Sequence, residues 1–143
     1  MSRSNYSDDC ENLDLWRGNV ERAIAGKRGQ ALLRELEAAL VALPVKELCA
    51  NEMANPTDDT VCALGAVALK RGVEKGKDRL TVLKEIAEKF PECCEAEELA
   101  DEFKISSMLA REITYINDED APSGLKERYD HVLKWVREQL VKA

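Results

Sequence analysis

Residues 95–116 read Glu-Ala-Glu-Glu-Leu-Ala-Asp-Glu-Phe-Lys-Ile-Ser-Ser-Met-Leu-Ala-Arg-Glu-Ile-Thr-Tyr-Ile. Two apolar stripes at helical spacing run through this stretch. Ala96, Leu99, Ala100 and Phe103 form the first, over 95–103, and Leu109, Ala110, Ile113 and Ile116 the second, over 107–117. Between them, Ile105 is placed to plug a turn and Ser106 to cap the helix that follows. The pattern is that of a helix–turn–helix corner over 95–117, with Ala100 where the first helix packs closest on the second. Lys104 stands where such turns usually carry glycine.

The same periodicity extends outward. Leu13, Trp16, Val20 and Ile24 predict a helix over 8–25, and Leu33, Leu36, Leu40 and Leu43 one over 30–43, with a break at Gly26-Lys27-Arg28-Gly29 and a stop at Pro44. Residues 62–71 predict a helix with a small-residue face that lets a neighbouring backbone approach, ended by Gly72. Asp78 caps a helix over 78–90 with Leu83, Ile86, Ala87 and Phe90 inward, and Pro91 ends it. Ser123 opens the last helix, 124–142, whose stripe is Leu125, Tyr129, Val132, Leu133, Val136 and Leu140. Only 46–62 departs from this period. There, apolar and polar residues alternate around Asn55-Pro56-Thr57-Asp58-Asp59, which predicts a short β-hairpin. The expected fold is mainly α: a compact single-domain helical bundle over 1–143, with a helix–turn–helix-like corner and a short hairpin.

Composition agrees. At 143 residues the chain suits one domain and can bury a core without a disulfide or metal. Aromatic residues are 5% of it, too few for an extensive sheet. No run of eighteen apolar residues predicts a membrane span, and the opening Met1-Ser2-Arg3-Ser4-Asn5-Tyr6-Ser7-Asp8-Asp9 has no apolar core of a secretory signal. Five cysteines, an odd number without a CxxC pair, predict reduced thiols and a cytoplasmic setting. A zinc site would need Cys93, Cys94 and the single histidine, His131, to converge with a fourth ligand at non-standard spacing. His131 lies at helical spacing from Glu127 and Trp135, with no nucleophile placed beside it by any motif. No catalytic residue, no metal and no cofactor is expected.

The charge is informative once located. The net −7 comes from 21 basic and 28 acidic residues, and nearly all of the excess lies after residue 91. Between 92 and 120, Glu92, Glu95, Glu97, Glu98, Asp101, Glu102, Glu112, Asp118, Glu119 and Asp120 face only Lys104 and Arg111. DNA affinity comes largely from cations that displace counterions from phosphates, so direct nucleic-acid binding through this corner is disfavoured. Carboxylates on successive helical turns instead make an anionic ridge suited to a basic protein surface, with Glu97, Glu98, Asp101, Glu102, Asp118, Glu119 and Asp120 as the candidate partner-binding residues. The plainer reading of the same acids is a solvated helix face. Lys27 and Arg28, beside the amides of a helix start, could hold a phosphate or an acidic group, although no Walker A pattern is present and a tight interhelix turn explains them as well. If the apolar flank of 124–142, including Trp135, stays exposed, it offers a surface for a homodimer.

Several stretches carry a resemblance. Met1 to Asp9, Leu15-Trp16-Arg17-Gly18, Ala23-Ile24 with Gly26-Lys27-Arg28-Gly29-Gln30, Val61-Cys62-Ala63-Leu64-Gly65-Ala66-Val67, Arg111-Glu112-Ile113, Asn117-Asp118-Glu119 and Trp135-Val136 resemble a family of small proteins encoded by temperate phages and prophages. The resemblance spans most of the chain and is thinnest over 73–94. It implies a setting, a phage-encoded accessory protein in a bacterial cytoplasm, and assigns no site residues. The expected function is therefore an interaction protein that binds and modulates a host or phage protein, for example by inhibiting a defence or nucleic-acid-processing system. The alternative is a small helix–turn–helix transcriptional regulator.

Overall fold

The computed structural model describes the backbone of residues 13–91 and 95–140, and the side chains from residue 17 onward within them. Seven α-helices are described: α1 (Leu13–Ala25), α2 (Lys27–Ala42), α3 (Ala63–Glu74), α4 (Arg79–Lys89), α5 (Ala96–Phe103), α6 (Ser107–Tyr115) and α7 (Leu125–Gln139). A π-helical turn, Ile116–Asp120, continues α6. The only strands among the described residues are β1 (Ala54–Asn55) and β2 (Thr60–Val61), paired antiparallel with Ala54 opposite Val61. The mainly α class read from the sequence is the class observed.

The α1–α2 junction shows how tightly the chain is folded. The predicted four-residue break shrinks to Gly26 alone, in extended backbone, and α2 begins at Lys27 rather than 30. Gly29 lies inside α2, where a Cβ would sit 2.0 Å from the Ala23 carbonyl oxygen, so only glycine lets the helices meet. Gln30 is buried, and its Nε2 donates to Ile24 O at 2.8 Å and Gln139 O at 3.0 Å. One amide thus satisfies carbonyls at the ends of α1 and α7, which have no partner within their own helices.

The hairpin is shorter than the predicted span of 46–62. Residues 46–49 have no regular structure and 50–53 form a bend; Leu48 and Cys49 are both buried, as are Met53 and Ala54, so the expected two-residue alternation is not followed. This segment is stitched to the chain beyond the hairpin, with Cys49 N–H on Val61 O (2.9 Å) and Cys62 N–H on Met53 O (3.1 Å). The small face of α3 receives it: a Cβ on Gly65 would lie 1.9 Å from Met53 O. Gly72, expected as a C-cap, lies within α3 instead, against the Val82 methyls of α4. The left-handed residue after the helix is Gly76, at φ +89°.

At the corner, α5 and α6 take up the expected geometry. Ala96, Leu99, Ala100, Phe103 and Ile105 are buried, and Ser106 Oγ accepts the Met108 N–H at 3.1 Å. Arg71 of α3 sets the corner against the bundle. Its guanidinium bonds both Glu35 carboxylate oxygens at 2.7 Å and lies 5.3 Å from the Phe103 ring centroid. Those bonds hold the Glu35 carboxyl below its usual range. Lys104 occupies the turn position in a left-handed conformation (φ 57°, ψ 47°), which costs an L-residue with a Cβ about 1–2 kcal/mol. Lys104→Gly is expected to stabilise the fold by about 1 kcal/mol, read as a higher urea midpoint at unchanged slope. A lower midpoint would show that the lysine side chain holds the turn.

In α7 the buried stripe is Arg128, Tyr129, Val132 and Val136, whereas Leu125 is 40% exposed. The helix is preceded by Gly124 without a side-chain cap, in place of the expected Ser123.

Candidate functional site

The predicted acidic residues fall into two groups that border one strip of α6. Four lie on α5. Ala96, Leu99, Ala100 and Phe103 face the core, which by helical geometry turns Glu97, Glu98 and Asp101 to solvent, with Glu102 half-buried at the edge. The other three, Asp118, Glu119 and Asp120, lie on the π-turn beyond the end of α6. Between the groups runs the strip carrying Arg111 and, one turn on, Tyr115. Glu97 Oε1 accepts from Arg111 at 2.7 Å. The Tyr115 phenol is held above its usual pKa, first by burial and then by the charges of Asp120, Glu119 and Glu112.

These acids do different work. Two form ion pairs across elements, Glu97 with Arg111 and Glu102 with Lys89 at 2.6 Å, and Asp120 Oδ2 lies within hydrogen-bond distance of His131 Nε2, at 2.7 Å. His131 therefore meets the π-turn rather than its expected neighbours Glu127 and Trp135. A bond to a backbone N–H of α5, together with the Arg111 pair, holds the Glu97 carboxyl below its usual range. Asp118 is a strut, with Oδ1 accepting from Asn51 N–H at 3.0 Å and from Asn117 Nδ2 at 2.8 Å. Glu112, counted in the acidic excess from sequence, is 3% exposed and gripped by Arg17 of α1 through bonds of 3.0 and 2.9 Å. It adds nothing to the outer surface. Glu92, Cys93 and Cys94 lie outside the described residues. The exposed acidic surface is thus centred on Glu97, Glu98 and Asp101, with Glu119 and Asp120 at its far end.

The second helix of the corner is not presented to solvent. Of the nine residues of α6, Leu109, Ala110, Glu112, Ile113 and Thr114 are buried, and Ser107, Met108, Arg111 and Tyr115 are half-buried. A major-groove reader needs that helix to project side chains outward. Here α1, α3 and α5 all pack against it.

Sequence reasoning missed the polar hub behind this surface. Asn117, 1% exposed on the π-turn, accepts from Ala63 N–H at 3.0 Å and donates to Cys49 O at 3.0 Å. Arg128, 6% exposed, donates to Asn117 O at 2.8 Å and Leu48 O at 3.2 Å. One amide and one guanidinium so join the π-turn, the segment at 48–51, the start of α3 and α7. The widened π-turn delivers Asn117 to the interior and Asp118 to the Asn51 amide.

Lys27 and Arg28 are exposed on the first turn of α2, and the glycine and glutamine that follow them are committed to packing. Of the residues a zinc site would need, Cys93 and Cys94 lie outside the described residues. Among the described residues, no group of three His, Cys, Asp or Glu could hold a metal, and no helix is long and apolar enough to cross a membrane. On the flank of α7, Leu133, Trp135 and Leu140 are half-buried against the core. The chain matches no family model, no curated protein and no solved structure with which it was compared.

Proposed function

We propose that this is a non-enzymatic interaction protein that captures a basic surface of a partner protein on the acidic outer face of α5 and the π-turn, and so modulates that partner. One observation carries the reading. The corner turns carboxylates outward on α5 (Glu97, Glu98 and Asp101 are exposed), while no residue of α6 is exposed. A rigid helix bearing like charges on successive turns supports steering and orientation of an oppositely charged protein. The resemblance given above supplies the proposed setting: a phage-encoded accessory protein in the host cytoplasm, with a host or phage protein as its partner, such as a defence or nucleic-acid-processing component whose basic surface it would inhibit.

Capture from infected cells tests this. Charge reversal to lysine is tested on Glu98, Asp101 and Glu119 together, and circular dichroism and melting of the variant are measured alongside to show that it folds. The folded variant is expected to lose partner affinity by about thirtyfold, since each reversal removes an attraction and adds a repulsion. Undiminished capture would remove the acidic face from the mechanism. The competing regulator reading has to draw its cations from other faces. Of those, Arg17 is engaged with Glu112, while Lys27, Arg28 and Arg22 are exposed. A shift of operator DNA at low salt and micromolar protein would favour that reading.

A further inference from the structure

We propose that α1 is an exchangeable arm, which two copies of the chain swap when α1 and α2 fuse into one helix. The two helices are separated by Gly26 alone, in extended backbone (φ −67°, ψ 163°). The helical ladder is nearly continuous across it. Gly26 N–H donates to Arg22 O at 3.0 Å and Gln30 N–H to Gly26 O at 2.9 Å, both at the four-residue spacing of an α-helix. Among the described residues, the rungs that do not form are those from the Lys27, Arg28 and Gly29 amides to the Ala23, Ile24 and Ala25 carbonyls. Rotating ψ of Gly26 into the helical range supplies all three and makes a single helix over 13–42, about 45 Å long. Gly26 is exposed and has no side chain to hinder that rotation.

The contacts of α1 divide into those the fused helix replaces and those it keeps. At the junction, Gln30 Nε2 donates to Ile24 O, and Gly29 lets the Ala23 carbonyl approach to where its Cβ would stand. These belong to the folded-back arm, and the three helical rungs take their place. Farther along α1, Val20 is fully buried and Arg17 bonds Glu112 of α6 at 3.0 and 2.9 Å. Such contacts do not depend on which chain supplies α1. In the exchanged dimer Arg17 of each copy grips Glu112 of the other, and the twofold symmetry fills both seats on α6. Two glycines hold the balance toward the monomer. Gly26 disfavours the fused helix by its low helix propensity, and Gly29 alone permits the folded-back arm. The exchange does not rest on the function proposed above, although it gives that function a bivalent form, with two acidic faces in one particle.

Light scattering on the full chain, with amide hydrogen exchange followed by NMR, tests the exchange. Gly29→Ala obstructs the folded-back arm, since its Cβ would stand 2.0 Å from Ala23 O and 3.0 Å from Ile24 O, yet it suits the fused helix. This variant is expected to be a folded dimer of twice the wild-type mass, with the amides of 27, 28 and 29 protected about tenfold or more over wild type. In a sample mixed from isotope-labelled and unlabelled chains, α1 of one copy should show NOE contacts to α6 of the other. A folded monomer would overturn the proposal, as would a dimer whose amides at 27–29 exchange as in wild type. If Gly29→Ala fails to fold, Gly26→Ala decides. Its φ of −67° and a Cβ 3.4 Å from Arg22 O accommodate alanine in the folded-back form as well. Unfolded and refolded at high protein concentration, Gly26→Ala is expected to dimerise with an association constant about tenfold or more above wild type, because two junctions gain helix propensity. An unchanged constant would overturn the exchange.

Discussion

Asn117→Ala is expected to destabilise the protein by about 3–5 kcal/mol, because it strands buried partners that nothing else can reach. The carboxamide satisfies Ala63 N–H, one of the first-turn amides of α3 that no helical carbonyl can serve, and Cys49 O, which faces the core. It also braces Asp118, which holds the Asn51 amide. A buried donor or acceptor left without a partner costs about 1–3 kcal/mol, and at least two are created, with a small cavity added. Urea unfolding followed by far-UV circular dichroism reads the effect directly. A loss below about 1 kcal/mol would mean that water replaces the amide and that the hub is not what joins these four segments.

Gly65→Ala should be comparably severe for a steric reason. The added Cβ would stand 1.9 Å from Met53 O and 3.0 Å from its carbonyl carbon, both backbone atoms that cannot rotate away. The segment 49–53 has to move, and with it the bonds from Cys49 to Val61 and from Cys62 to Met53. A loss of about 3 kcal/mol or more is expected. The same substitution at Gly18 is the control. Among the described side chains, a Cβ there meets only Arg22 Nη1 at 3.6 Å, within helix α1, and alanine should gain about 0.5–1 kcal/mol from helix propensity. Opposite signs at the two positions would establish that the approach of the bend to α3, rather than glycine flexibility in general, limits Gly65. A neutral Gly65→Ala would contradict that contact.

The helices were legible because their punctuation is local. Pro44, Asp78, Pro91 and Ser106 end or cap elements where their own chemistry requires it, and the stripes of α2, α4 and α5 follow a 3.6-residue period undisturbed by tertiary demands. Legibility failed where a polar residue is inside. Arg128 takes a place in the α7 stripe that a hydrophobicity pattern reserves for an apolar residue. It is held there by the carbonyls of Leu48 and Asn117, which lie far away in sequence. The π-turn has no compositional signature, so Asn117-Asp118-Glu119-Asp120 reads as solvated acids although Asn117 is interior. Glu112 shows the same limit in the charge count, since sequence cannot tell a carboxylate gripped by Arg17 from one facing water. The acidic face on α5 was legible, because Glu97, Glu98 and Asp101 alternate with a clear apolar stripe. Its separation from the π-turn acids by the Arg111–Tyr115 strip depends on packing that the sequence does not state.

The most direct test is the salt dependence of partner affinity, measured for the wild type and for the Glu98→Lys/Asp101→Lys/Glu119→Lys variant with the captured partner. If the acidic outer face makes the contact, wild-type affinity should fall by about tenfold between roughly 50 and 500 mM salt, while the variant binds weakly and nearly independently of salt. Equal affinities with equal salt slopes would contradict the account and place the contact elsewhere on the molecule.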